Sequence, residues 1–320
     1  MSGMKSRIFW FLLMVIGLAG VIWWGFLAAP RQTWLSPVSN TDTEIVSFAD
    51  DTAPILVADK LQSAGFVKSR VIAGLLLTRE KYSAGGYQIS KSMNVFEVVR
   101  TLADGPQLLW VVVPPGWRKE QIADKLVPKF NWSEKDQQNF LSFPEGEYFP
   151  DTYLIPRMES GKQVGKRMND NFNEKFAPYA RKFLEKNIKN DTAIKIASLV
   201  QRESGGDDMP LIAGIIWNRL EKGMGLKIDA TVQYAKGKVD GLWWSRVTVA
   251  DYSTVDSPYN TYEYKGLPPT PIASPGLAAI DAVLNSKETD CLYYLHDHLG
   301  QIHCSPTYDG HLANIEKYLQ

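Results

Sequence analysis

Hydrophobic and polar positions divide the chain into one long apolar run followed by many short amphipathic segments. From Ile8 to Ala29 the sequence reads IFWFLLMVIGLAGVIWWGFLAA without a charge, enough at the helical rise to cross the hydrocarbon core of a bilayer. Lys5 and Arg7 precede it, and basic residues flanking a first span tend to stay on the cytoplasmic side. The pattern predicts a cytoplasmic tail over 1–7, a single transmembrane helix over 8–29 and an extracytoplasmic remainder. A linker rich in Pro, Ser, Thr and Asn joins them over 30–43. A cleaved signal peptide competes with this reading, because Leu27-Ala28-Ala29 resembles a cleavage site. The length of the run, and Pro30 directly after it, favour the uncleaved anchor.

A first small unit is expected over 44–114. Thr52 to Gly65 reads as a helix with Ile55, Leu56, Ala58 and Leu61 inward, and Ser69 to Leu77 as a second. Gly85 to Ile89 turns into a strand, Asn94 to Ala103 is an amphipathic helix, and Leu108 to Val113 is a β-branched strand. A connecting region over 115–189 then opens with a helix at Lys119 to Leu126. Its segment EGEYFPDTY, Glu145 to Tyr153, is too turn-rich for a regular element and too aromatic for a plain linker. Met158 to Lys186 follows as a charged helix with Val164, Met168, Phe172, Phe176 and Phe183 on its inner side.

From 190 to 320 the candidate chemistry becomes dense. Ile196, Leu199 and Val200 lie seven, four and three positions before Glu203, so on a helix all four share one face. A carboxyl group held against apolar neighbours is shifted toward its protonated form, which a general acid near neutral pH requires. Most helical glutamates are nevertheless solvated surface charges. Asn190 or Asp191 is expected to cap this helix and Gly205-Gly206 to end it. Asp208 and Pro210 start the next, which carries Leu211, Ile212, Ile215, Ile216 and Leu220 inward and stops at Gly223. Asn218 and Arg219 add polar groups near its end.

Three further segments, Leu226 to Tyr234, Ser257 to Tyr262 and Gly266 to Gly276, combine aromatic rings with amides and hydroxyls. Such surfaces suit sugars, whose apolar faces stack on rings while their hydroxyls need hydrogen-bond partners. Non-functional turns can share that composition. Near the C terminus, Cys291 and Cys304 flank a predicted β-hairpin, leaving open whether they form a disulfide or pack as thiols. His296, His298 and His303 lack ligand spacing firm enough to predict a metal site.

Composition narrows the partners. With 35 basic and 35 acidic residues the net charge is zero, which argues against nucleic acid or a polybasic membrane patch. The residues beyond the apolar run exceed what one core usually holds, so at least two subdomains of an α+β fold are expected.

The string from Ala197 to Tyr234, the runs SPYNTY and GLPPTPIASPG, and the earlier EGEYFPDTY together resemble the YceG-like endolytic murein transglycosylases over most of the chain after the apolar run. The resemblance implies a membrane-anchored protein with a LysM-like subdomain at 44–114 and a catalytic domain at 190–320. Such a protein cuts nascent peptidoglycan glycan strands internally, terminates their elongation and meets synthases of the elongation machinery. It implies that Glu203 is catalytic, and that neither metal nor organic cofactor is required. One carboxyl suffices for a lytic transglycosylase, whereas a muramidase needs a second, for which Asp229, Asp151 and Glu147 are candidates. Asn218, Asp229, Thr231, Gln233, Tyr234, Asn260, Thr261 and Tyr262 are the expected substrate-binding residues. A glycan-binding scaffold without catalysis stays open. Departures from the family pattern are Gln201 before the catalytic position, Cys304 where an aromatic is usual, and Ile302 in place of a histidine, with His303 one position late.

Overall fold

A computed structural model describes residues 2–24, 43–49 and 52–319, with side chains from residue 10 onward. It is a mixed α+β structure whose chain divides into two compact units, Met1–Val111 with Tyr153–Met158, and Val112–Thr152 with Glu159–Gln320. The first helix, α1 (Ser2–Trp23), carries the front of the predicted span. Residues 25–29 of that span and 30–42 of the linker lie outside the described residues. Among the described residues no helix is long and apolar enough to cross a membrane.

The first unit continues as β1 (Thr43–Phe48), α2 (Pro54–Ser63), α3 (Arg70–Leu77), β2 (Gly85–Ser90), α4 (Val95–Ala103) and β3 (Leu108–Val112). Strand β1 pairs antiparallel with β2 from Thr43 opposite Ser90 to Phe48 opposite Gly85. Asn94 caps α4 in a reciprocal box with Glu97, satisfying donors that the first helical turn leaves free. On α2 the inward face is Val57, Ala58 and Leu61. Ile55 and Leu56, expected inside, are 49% and 60% exposed. The buried set follows the i, i+1, i+4 stripe of Val57, and Ile55 lies along α3 at Gly74, where an added Cβ would come within 3.2 Å of its Cδ1.

The second unit contains α5 (Lys119–Phe130) and α6 (Glu134–Leu141) before the chain forms β4 (Thr152–Pro156), which completes the sheet order β1-β2-β3-β4. Helix α5 runs past the predicted end at Leu126, through Pro128, to Asn131 in the left-handed region. The EGEYFPDTY segment was expected to be irregular throughout, but its end is the start of β4. Buried Tyr148 anchors the rest, its hydroxyl donating to the Phe140 carbonyl at 2.6 Å.

Then follow α7 (Gly161–Glu185), α8 (Asn190–Glu203), α9 (Met209–Glu221), α10 (Asp229–Lys236), α11 (Asp251–Thr254) and α12 (Leu277–Leu284). The chain closes with β5 (Tyr293–His296), β6 (Ile302–Ser305) and α13 (Tyr308–Tyr318). Phe172, Phe176 and Phe183 of α7 join Ile196, Leu199 and Val200 of α8, Ile212 and Ile216 of α9, and Ile280 and Val283 of α12 in one core. The boundary expected at 189/190 therefore does not separate compact units. Neither Asn190 nor Asp191 caps α8, because both already lie inside it; Lys189 is the capping position, and Asp191 pairs with Lys195 one turn on. Strands β5 and β6 pair antiparallel, and a disulfide joins Cys291 to Cys304 with Cα atoms 5.8 Å apart. The register sets Cys304 opposite Tyr294, so the bridge ties the base of the hairpin rather than a facing pair.

Candidate active site

Glu203 is the last residue of α8, where the chain leaves the helix at Ser204 in an extended conformation. Its helical neighbours Ile196, Leu199 and Val200 are fully buried. Four groups from elsewhere converge on the carboxyl. The Tyr294 hydroxyl on β5 donates to Oε2 at 2.8 Å. The Ala230 backbone N–H donates from the first turn of α10, so the carboxyl meets the positive end of that helix. Asp229 and His296 supply opposing charges nearby. Burial pushes the Glu203 pKa above the ordinary glutamate value and Asp229 pushes it further, while Tyr294, His296 and the Ala230 N–H oppose them. The group retains its proton more readily than a free glutamate, yet has donors ready for its anion.

The hairpin delivers Tyr294. Tyr294 and His296 are two apart on β5 and so face the same side of the strand. His296 Nε2 is in hydrogen-bond contact with Asp208 Oδ2, and Asp208 Oδ1 accepts from Ser204 directly after Glu203. Burial works against the Asp208 anion, but the hydrogen bonds from Ser204 and His296 hold its pKa below the usual value. Gly205 lets the hairpin approach, since a Cβ there would lie 3.3 Å from both the Gly300 carbonyl and the His296 ring.

The predicted residues separate into three groups. Asp229 and Tyr262 come to the site, the Tyr262 hydroxyl donating to Asp229 Oδ1 at 2.6 Å while its ring stacks on Tyr252 at 3.9 Å. Asn260, Thr231 and Thr261 are buried braces. The Asn260 amide donates to the Tyr252 and Val255 carbonyls and its oxygen accepts from the Tyr262 N–H, so it shapes the loop presenting Tyr262. Thr231 and Thr261 share a hydroxyl contact of 2.9 Å that ties this loop to the start of α10. The remaining three point elsewhere. Asn218 donates to the Thr289 and Cys291 carbonyls at the hairpin's base, and Gln233 to the Ser245 carbonyl. Tyr234 lies under the Arg118 guanidinium at 3.9 Å and reaches Glu145. Of the other carboxylates considered, Glu147 and Asp151 accept from Asn169 and Asn171 of α7. Gln201 accepts from the Gly276 N–H at 3.0 Å.

Sequence reasoning missed Tyr294, His296 and Asp208. The alternation along β5 was the only signal for Tyr294 and His296, and it showed a shared face without showing that this face meets Glu203 and Asp208. A Tyr294→Phe variant is expected to lower kcat/KM by about 10- to 100-fold, the worth of one hydrogen bond to a charged group. Because the hydroxyl lowers the Glu203 pKa, its loss moves the basic limb of the pH–rate profile upward; an unmoved limb would remove Tyr294 from the site.

The profile of the YceG-like family matches residues 47–317, spanning both units. The chain belongs to the YceG-like family. An endolytic murein transglycosylase of Streptococcus pneumoniae serotype 2 is 27% identical over 82% of this chain and 56% of its own length. One of Bacillus subtilis is 29% identical over 74% of this chain and 73% of its own. The chain thus spans little more than half the length of its pneumococcal relative. A crystal structure of a YceG-like protein from Listeria monocytogenes shares the fold, with a TM-score of 0.59 at 24% identity, over 86% of this chain and 99% of that one.

Proposed function

We propose that this YceG-like chain is an endolytic peptidoglycan lytic transglycosylase that cleaves the bond between MurNAc and GlcNAc within nascent strands. The reading rests chiefly on one observation: a proton-retaining carboxyl, Glu203, at the end of α8, set among donors that can stabilise its anion. Protonated Glu203 gives its proton to the bridging oxygen as the bond from that oxygen to the MurNAc C1 breaks. The carboxylate so formed, held by Tyr294 and the Ala230 N–H, removes the proton of the MurNAc C6 hydroxyl. The O6 atom bonds to C1 and leaves a 1,6-anhydro end. The Asp229 charge offsets the positive charge on the sugar between the two steps. No water, metal or organic cofactor enters this sequence, whose class is a carbon–oxygen lyase.

The same reading takes 8–29 as a single-pass anchor in the cytoplasmic membrane, with the N terminus inside and residues 44–320 outside. The strand–helix–helix–strand order of β1, α2, α3 and β2 supports a LysM-like unit. Termination of strand growth would bring the chain beside the elongation synthases. A hydrolytic muramidase is the second reading, favoured by Asp229, whose charge acts directly on Glu203. Mass spectrometry of peptidoglycan digested by the full chain decides between them. Anhydro ends are expected, reducing ends would establish hydrolysis, and intact strands would leave a scaffold.

A further inference from the structure

A cavity lies at the opposite ends of the helices that meet at Glu203. It has a volume of about 600 Å³ and is lined by Glu145, Asn173, Asn190, Tyr234, Tyr259 and Thr270 among others. Asn190 opens α8 and Glu203 closes it, so at the helical rise the two are separated by about 20 Å. Asp229 opens α10 beside Glu203, and Tyr234 meets the cavity five residues later.

Its chemistry has two sides. The Tyr234 and Tyr259 rings sit 4.7 Å apart and present apolar faces, and the Tyr259 hydroxyl pairs with Thr270 at 2.8 Å on the exposed side. Polar groups then converge on the interior. Glu145 is 6% exposed, and its carboxyl receives the Lys119 and Gly146 N–H groups and the Tyr234 hydroxyl. Asn190 Oδ1 is buried without a hydrogen-bond partner. The nearby cations are engaged: Arg118 with Glu120, and the Lys119 ammonium with the Leu141 and Phe143 carbonyls. An anionic ligand therefore has no free cation to meet. Ring faces beside the rim hydroxyls of Tyr259 and Thr270 and the Asn173 amide suit a neutral amide-bearing sugar.

From this arrangement we infer that the cavity is a remote carbohydrate subsite, taking an N-acetylhexosamine unit of a strand whose scissile bond lies at Glu203. The inference rests on the glycan-cleaving reading above. A subsite that far along the strand would favour long glycans over short ones, as internal cleavage requires.

Titration of the full chain with N-acetylglucosamine hexamer, followed by calorimetry, tests it. Asn173 lies exposed on α7 at the cavity rim, so Asn173→Trp fills the opening without removing a core contact. The variant is expected to bind the hexamer at least about tenfold more weakly than the parent. Thr270→Val, which removes one rim hydroxyl, should weaken binding by a smaller factor. Parent-like affinity in both variants, or no hexamer binding by the parent, would overturn the subsite. Product analysis of the parent separates the two readings. Absence of anhydro ends with the Trp effect intact refutes the reaction alone, and anhydro ends without the Trp effect refute the subsite alone.

Discussion

Glu203→Gln is expected to lower glycan cleavage by about 10⁴-fold while leaving the fold intact. General acid–base catalysis by one positioned group contributes about 10²–10⁴, and in the proposed mechanism the same carboxyl serves both proton transfers, which places the loss at the upper end. A glutamine can still accept from Tyr294 and the Ala230 N–H, so the contacts holding the hairpin and α10 against the end of α8 survive. It cannot give a proton to the bridging oxygen. Stability should not fall: Glu203 has a raised pKa in the folded protein, so its ionised form is disfavoured there. That penalty is absent below the unfolded pKa and grows as pH rises through the folded one. The variant lacks it, and should therefore be at least as stable as the parent in alkaline buffer. Release of soluble anhydro-muropeptides, measured beside thermal melts, checks both halves. A folded variant that still released them at the parent rate would remove Glu203 from the chemistry.

The burial of the Glu203 carboxyl was legible in the sequence because its signal is local. Ile196, Leu199 and Val200 share a turn or two of helix with it, and helical periodicity alone makes them neighbours. Its partner Tyr294 lies 91 residues away and arrives through the hairpin, so no local pattern connects the two. Composition also misled at the loops. Asn260, Thr231 and Thr261 read as sugar-binding groups because amides and hydroxyls serve substrates and turns equally well. Burial decides between these uses, and all three are spent on backbone or on one another. Asp229 and Tyr262, from the same segments, retain a place beside Glu203 through the contacts those braces enforce.

The disulfide shows a related limit. Cys291 and Cys304 flank the hairpin in the sequence without showing whether they meet, and the register sets Tyr294, not Cys291, opposite Cys304. The bridge secures the strand that carries Tyr294 and His296. Asn218 reinforces the same place by holding the Thr289 and Cys291 carbonyls from α9. Its contribution to the site is therefore indirect, through the position of the hairpin.

Glu145→Gln should change the pH dependence of stability more than any other single substitution away from Glu203. Burial, followed by the Glu120 charge, pushes the Glu145 carboxyl up to about 7 from 4.5, against the Lys119 and Gly146 N–H groups and the Arg118 charge. Tyr148 and Tyr234 also face it, and burial first and the Glu145 charge next raise both phenols. Below about pH 4.5 folded and unfolded chains both hold the proton, and the group imposes no penalty. Between there and about pH 7 the folded chain holds it more strongly, so stability falls as pH rises; above that range the whole difference is lost, about 3 kcal/mol. Glutamine resembles the neutral acid and does not titrate. At pH 5 the variant should therefore lie near the parent, and at pH 8 it should be more stable by up to about 3 kcal/mol. For a domain of this size that corresponds to roughly 6–12 °C in the melting temperature. Urea unfolding of both proteins across pH 4–9 measures it. A variant whose stability followed the parent's at every pH would mean that Glu145 ionises in the folded protein as it does in water.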